Sequence, residues 1–239
     1  MTWPDEFAEG YDQWTAGLTA DVDFYVGLAL ESDGPIVELA IGSGRVAVPI
    51  ALATGRRVIG VDTSAAMLDA ARRRADETGV ELELHLGDMA ELQLDEPAAL
   101  IICPFRALLH VPTWAARRRV FERVAASLRP NGRFAWNAFA FDHEFAARAD
   151  GVRVVDGAYA HTDHFVVGDN RVDIVLDSGA TSSLWWATKN EWLGLIDVAG
   201  LEVEALYGDF DRSPADENSG EYVFVVRPMT SRHCDPRSE

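Results

Sequence analysis

The stretch "VELAIGSGRVAVPIALATGRRVIGVD" (Val37–Asp62) decides the fold. Its opening apolar run, "IVELA", reads as a buried strand. Gly42 and Gly44 break the run, and "GRVAVPIALATG" follows as a helix that stops at Gly55. "RRVIGVD" is a second apolar strand ending in a carboxylate, Asp62. Glycines between a strand and a helix are the context of a nucleotide-binding turn. They permit a tight bend and let backbone approach a ligand with no Cβ in the way. An acid at the end of the next strand is placed to accept hydrogen bonds from both ribose hydroxyls. It can also cap the helix that begins "DTSAAM", and the two roles can coexist.

The pattern continues on both sides. Residues 1–33 read as helical and break at Asp33-Gly34-Pro35. Thr63 or Ser64 caps a helix through "AAMLDAARRRADETG", which stops at Gly79. "VELELHL" (80–86) alternates as a third strand with one wet face, and Ala99–Cys103 is a fourth. Pro112 opens a helix on which Trp114, Val120, Phe121, Val124 and Leu128 share a face. Pro130-Asn131-Gly132 is a stop and turn before a fifth strand, "RFAWNAF". Strands alternating with helices over short connections imply an α/β fold with a parallel sheet.

The style changes after Phe141. Short antiparallel strands are expected around 152–155, 159–167, 171–177 and 184–186, with "GDN" (168–170) as a hairpin turn. Thr188 and Glu191 form a capping-box pattern that opens "NEWLGLIDVAG". "LEVEALY" and "EYVFVVR" are two further strands. The expected organisation is one domain over 1–227, with an N-terminal helical lid (1–33), a β-rich insertion over the site (142–187) and a disordered tail (228–239).

Composition narrows the partners. The 239 residues carry a net charge of −18, with no basic stripe to meet phosphates. Nucleic acid and anionic membrane surfaces are therefore not expected partners, whereas cationic cofactors or amine substrates would be attracted. Hydrophobic residues make up 48%, enough for a sizeable core. Two cysteines, Cys103 and Cys234, allow no disulfide framework and no zinc spacing. No metal is expected. The acidic N-terminus lacks a signal-peptide pattern, and no apolar stretch reaches membrane-spanning length, so the expected location is the cytoplasm.

A further element bears on the cofactor. "LGDMAEL" (86–92) puts Asp88 just past the third strand, where a carboxylate can accept from an adenine amine and Met89 can lie against the ring. With it, the sequence resembles the class I S-adenosylmethionine-dependent methyltransferases, in particular bacterial small-molecule enzymes. The resemblance rests on "VELAIGSGR" (37–45), "VIGVD" (58–62), "GDMAEL" (87–92), "FRALLHVP" (105–112), "LRPNGRFAWN" (128–137) and "LYGDFDRSPADENSGEYVFVVR" (206–227). It implies a Rossmann-like sheet of seven mostly parallel strands flanked by helices, the last strand antiparallel and inserted beside the fifth. It implies S-adenosylmethionine as cofactor and S-adenosylhomocysteine as product. Glu38 would lie near the methionine part, the Gly42–Gly44 turn would cradle it, and Asp62 and Asp88 would meet ribose and adenine. Thr63, Met67, Met89 and Cys103 complete the expected cofactor contacts. The family often has glycine where this chain has Ala40, a change tolerable if the backbone torsions are ordinary there.

Methyl transfer is an in-line displacement in which alignment and exclusion of water matter most. A neutral amine needs little further help, and a hydroxyl needs a base. The candidate bases are His110, after the fourth strand, and Tyr11, on the helix that lids the cofactor in resembling proteins. Each also has a structural reading, as a cap beside Pro112 and as a packing tyrosine. Arg106, Asn137 and Trp14 are the candidate substrate contacts. Trp185 and Trp186 could line an aromatic pocket or form the insertion's core. The expected function is methylation of a nitrogen or oxygen on a small molecule, by a monomer or homodimer. A nucleotide-dependent oxidoreductase and a catalytically silent cofactor-binding protein are the alternatives.

Overall fold

The computed structural model describes residue 15 and residues 17–156 and 159–229. Tyr11, Trp14, Cys234 and the tail from 230 onward lie outside them. Helix α1 (Ala20–Leu30) precedes β1 (Ile36–Leu39), α2 (Ala47–Thr54) and β2 (Val58–Asp62). Next come α3 (Ala65–Thr78), β3 (Leu82–Leu86), β4 (Ala98–Cys103), α4 (Trp114–Ser127) and β5 (Leu128–Phe139). After α5 (His143–Ala149), strands β6 (Arg153–Asp156), β7 (Tyr159–Val166), β8 (Arg171–Leu176) and β9 (Thr181–Trp185) form an antiparallel sheet of their own. Helix α6 (Lys189–Val198), β10 (Leu201–Tyr207) and β11 (Glu221–Pro228) follow.

The large sheet has the order β10-β11-β5-β4-β1-β2-β3. Only β11 is reversed, pairing antiparallel with both β10 and β5. The carboxyl ends of β1, β2, β3, β4 and β5 therefore share one edge, where ligands bind in open α/β sheets. The reversed β11 delivers its first residue, Glu221, to that same edge opposite Phe139.

Each face of the sheet is buried under helices. Phe121 and Val124 of α4 and Trp192 of α6 pack on one face, against Phe134 and Trp136. Phe24 and Tyr25 of α1, Ile50 of α2 and Leu68 of α3 cover the other, with Ile36 and Leu100. Several element ends form as their local signals require. Ser64 accepts from Met67 N as the cap of α3, and the Thr188–Glu191 capping box is formed. Asn170 takes the left-handed turn position between β7 and β8.

Other expectations need correction. Trp114 is 45% exposed, because α4 begins there under the Thr113 cap and its ring lies beneath Arg118 rather than on the buried face. The turn at 130–132 does not end before the fifth strand; it is absorbed into a β5 that starts at Leu128, with a register shift against β4. Gly132 makes this possible, since a Cβ there would stand 2.7 Å from the Ala98 carbonyl. Among the described residues, no helix is long and apolar enough to cross a membrane.

Candidate functional site

A cavity of about 910 Å³ opens at the carboxyl edge of the sheet. Gly42, Asp62, Thr63, Met67, Asp88 and Met89 line one end. Arg106, His110, Asn137 and Glu221 line the other. Gly17–Asp21 ahead of and within α1, and Ile174 and Thr181–Leu184 of the antiparallel sheet, complete the wall.

The first end is organised by Asp62. One carboxylate oxygen accepts Gly42 N at 2.8 Å, and the other accepts Ser64 N at 2.8 Å. Burial raises its pKa, and those same backbone donors pull it back down. Asp62 itself lines the cavity. Gly42 has φ +56°, and a Cβ there would meet nothing nearer than the Ala40 carbonyl at 4.0 Å. Gly44 also needs a left-handed torsion, but it does not line the cavity. Its missing Cβ would sit 3.4 Å from Ala71 Cβ, so Gly44 serves the packing of the turn against α3.

Ala40 departs from the expectation of ordinary torsions. Its φ is +52°, the left-handed region that favours glycine. Cys103 is a second correction. It is fully buried at the end of β4 and outside the cavity lining, and burial pushes its thiol far above the usual range. Glu38 lies beneath the turn at 3% exposure, outside the lining, with Oε2 buried and without a hydrogen-bond partner. Burial raises its pKa well above normal, opposed by Arg45. Asp88 is occupied on one oxygen by Ala90 N at 2.8 Å.

A network connects the turn with the helix above it. Arg45 pairs with Asp21 at 2.5 Å, donates to the Leu18 carbonyl at 2.9 Å and lies over the Phe105 ring. The N-terminal segment is thereby tied to both the glycine turn and the loop after β4.

The second end is polar and densely bonded. Asn137 Oδ1 accepts from Tyr25 OH at 3.2 Å and Arg106 N at 3.4 Å, and its Nδ2 donates to Glu221 at 2.7 Å. Arg106 grips Glu221 through Nε and Nη2. Phe105 and Arg106 both have positive φ, +55° and +60°, a strained pair at the cavity wall. His110 is partly buried in the same wall. Burial pushes its pKa down to about 4, and a hydrogen bond with the Ser183 backbone opposes that shift.

Glu221 and Tyr25 were not singled out from sequence. Only their partners were, because the network spans chain separations of 31 to 115 residues. Trp186 does not line the cavity; it is 3% exposed and stacks on Phe141 at 3.8 Å within the insertion's own core. Nor does Trp185 line it; its carbonyl accepts from Arg117. No His, Cys, Asp and Glu group suited to a metal occurs among the described residues.

Comparison with known proteins agrees with this geometry. Residues 36–132 match the family model of a methyltransferase domain. That span runs from β1 through the turn, both acid-bearing strand ends and into β5. Over that span the chain is similar to methyltransferase domains. A curated protein to which the chain is similar is the dTDP-4-amino-2,3,4,6-tetradeoxy-D-glucose N,N-dimethyltransferase of Saccharopolyspora spinosa. It is 29% identical over 165 residues, which cover 69% of this chain and 62% of the relative, somewhat under two thirds of its length. In fold the chain is similar to the CcbJ methyltransferase of Streptomyces caelestis, with TM-score 0.77 and 23% identity over 94% of this chain and 96% of that one. It is also similar to the SAM-bound amino pentose methyltransferase CalS10 of Micromonospora echinaspora, with TM-score 0.66 and 20% identity over 96% and 98% of the two chains.

Proposed function

We propose that this protein transfers a methyl group from S-adenosylmethionine to an amino nitrogen of a small molecule, working in the cytoplasm without a nucleic-acid or membrane partner. Amino sugars are the substrate class favoured by the relatives' names.

The observation that carries the reading is the charge of the cavity. Four carboxylates line it (Asp21, Asp62, Asp88 and Glu221); Arg106 pairs with Glu221 and Arg45 with Asp21, so Asp62 and Asp88 carry the remaining negative charge of the lining. Such a lining favours cations. The residues suit the cofactor. The orphaned Oε2 of Glu38 suits the methionine ammonium, and the open face of Gly42 suits close backbone approach. Asp62 suits the ribose hydroxyls, with Thr63 beside it. Asp88 suits the adenine amine, with Met67 and Met89 against the ring. When bound, the cofactor supplies an electrophilic methyl group on a positively charged sulfur.

The chain's own part is alignment and exclusion of water. Gly17–Asp21 and the β8–β9 wall close over the cavity in this reading, so the N-terminal segment and the insertion act as a lid. His110, held at about 4, is a weak base at neutral pH. That weakness disfavours a hydroxyl acceptor, whose oxygen must lose a proton in the reaction. An amine needs only to be in its neutral form. His110 is then a wall residue before it is a base, and Arg106 and Asn137 belong to the acceptor end. The test has two arms: calorimetry with S-adenosylhomocysteine and with NAD, and methyl transfer to a panel of amino sugars. Binding of NAD in preference would point to an oxidoreductase.

A further inference from the structure

We infer that Glu221 is the counter-ion that receives the methyl acceptor's amine in its cationic form, before that amine gives its proton to solvent and takes the methyl group, and that Arg106 is its resident stand-in, displaced when the acceptor enters. The inference rests on the methyl-transfer reading of this cavity.

The two members of the pair are unequal. The Glu221 side chain is 11% exposed, whereas that of Arg106 is 47% exposed. Glu221 is also fixed. It begins the reversed strand β11, and Asn137 Nδ2 donates to it at 2.7 Å. Asn137 cannot readily turn away, because its Oδ1 is held by Tyr25 OH and by the backbone N–H of Arg106. A buried carboxylate needs a cationic or hydrogen-bonding partner at all times. The exposed Arg106 guanidinium, on its flexible stem, can leave once another cation is present to take the carboxylate. A compact ammonium arriving from the cavity can take its place without leaving Glu221 unpaired.

Arg106 has somewhere to go. Its guanidinium already lies 5.5 Å from the centre of the Phe139 ring, so it can keep a cation–π contact after releasing the carboxylate. The opposite reading makes Arg106 an anion site for an acceptor phosphate or carboxylate. Its Nε and Nη2 donors are both spent on Glu221, and an anion placed there would meet that carboxylate.

The test uses the full chain loaded with S-adenosylhomocysteine. The probe is cyclohexylammonium, with cyclohexanol as the neutral control; a six-membered ring suits the apolar walls at Val111, Ile174 and Leu184. The readouts are calorimetry and the Arg106 Nε–H resonance, recognised as the one missing from Arg106→Gln. Saturable binding of the ammonium but not the alcohol is expected, moving the Arg106 signal. Glu221→Gln should weaken it at least tenfold while S-adenosylhomocysteine binds within about twofold of wild type, and Glu221→Asp should fall between. Arg106→Gln should bind the ammonium at least as tightly as wild type. Loss of ammonium binding in Arg106→Gln equal to that in Glu221→Gln would overturn the inference, as would equal binding of ammonium and alcohol, or no saturable binding. Failure of S-adenosylhomocysteine itself to bind would instead remove the methyl-transfer reading, and the inference with it.

Discussion

Asp62 accepts the backbone N–H of Gly42 at 2.8 Å across twenty residues of chain. The acid at the end of one strand thus shapes the glycine turn after its neighbour, and the same carboxylate caps the loop into α3 through Ser64 N. Asp62→Ala removes backbone contacts as well as any ribose contacts. Its S-adenosylhomocysteine affinity should fall by about 1.5–3 kcal/mol, with a lower melting temperature. A 2′-deoxy cofactor analogue should be disfavoured by wild type and hardly at all by the mutant. Equal discrimination by both would remove Asp62 from the ribose site.

The two glycines of the turn should separate by phenotype. Gly42 borders open cavity, whereas Gly44 faces Ala71 of α3. Gly42→Ala should cost at least about tenfold in S-adenosylhomocysteine affinity, or about 1.4 kcal/mol. Gly44→Ala should cost mainly stability, since a Cβ at 3.4 Å must be absorbed in a left-handed backbone. Calorimetry and thermal melts on both variants check this. A reversed pattern would mean the cofactor lies against Gly44.

Ala40 carries strain that glycine would relieve. At φ +52° an L-residue costs roughly 1–2 kcal/mol, partly offset by the greater unfolded-state freedom of glycine. Ala40→Gly should therefore raise the denaturation midpoint by up to about 1 kcal/mol of stability. A lowered midpoint would show that the methyl group makes compensating contacts.

Much of this was legible because its signals are local. Glycines at a strand end, an acid at the next, and Thr188 three residues before Glu191 each act within a few residues. The acceptor end was only half legible. Arg106 stood out by following the fourth strand and Asn137 by ending the fifth, but Glu221 begins a strand after a long loop, and only the reversal of β11 brings it to the edge. Cys103 was misplaced because adjacent residues of a strand face opposite ways, and a strand's last residue does not itself say which way it faces.

Glu38 predicts a pH effect. Its pKa is raised by burial, so the folded state holds a proton that the unfolded state releases. Its contribution therefore turns unfavourable as pH rises above 4.5, the ordinary value. Glu38→Gln should melt at a higher temperature than wild type at pH 7–8 in the free protein, yet bind S-adenosylhomocysteine more weakly. Tighter binding by the variant would exclude Glu38 from the methionine site.

His110 predicts the opposite slope. Its pKa is lowered from 6.5 to about 4, so the unfolded chain takes up a proton that the folded one refuses. Stability should drop as pH falls through that window, by at most about 1.4 kcal/mol per pH unit, and His110→Gln should flatten the drop. An unchanged slope in the variant would mean that the imidazole titrates as freely in the folded protein as in the unfolded chain.

The most direct measurement is methyl transfer itself. The protein, methyl-labelled S-adenosylmethionine and nucleotide-linked amino sugars, each with its hydroxyl counterpart, are followed by mass spectrometry across pH 5.5–9. The account predicts label on nitrogen, with an acidic limb that follows the pKa of the acceptor amine and persists in His110→Ala at no more than about tenfold loss of kcat. Label on oxygen, or a limb that vanishes with His110, would contradict it.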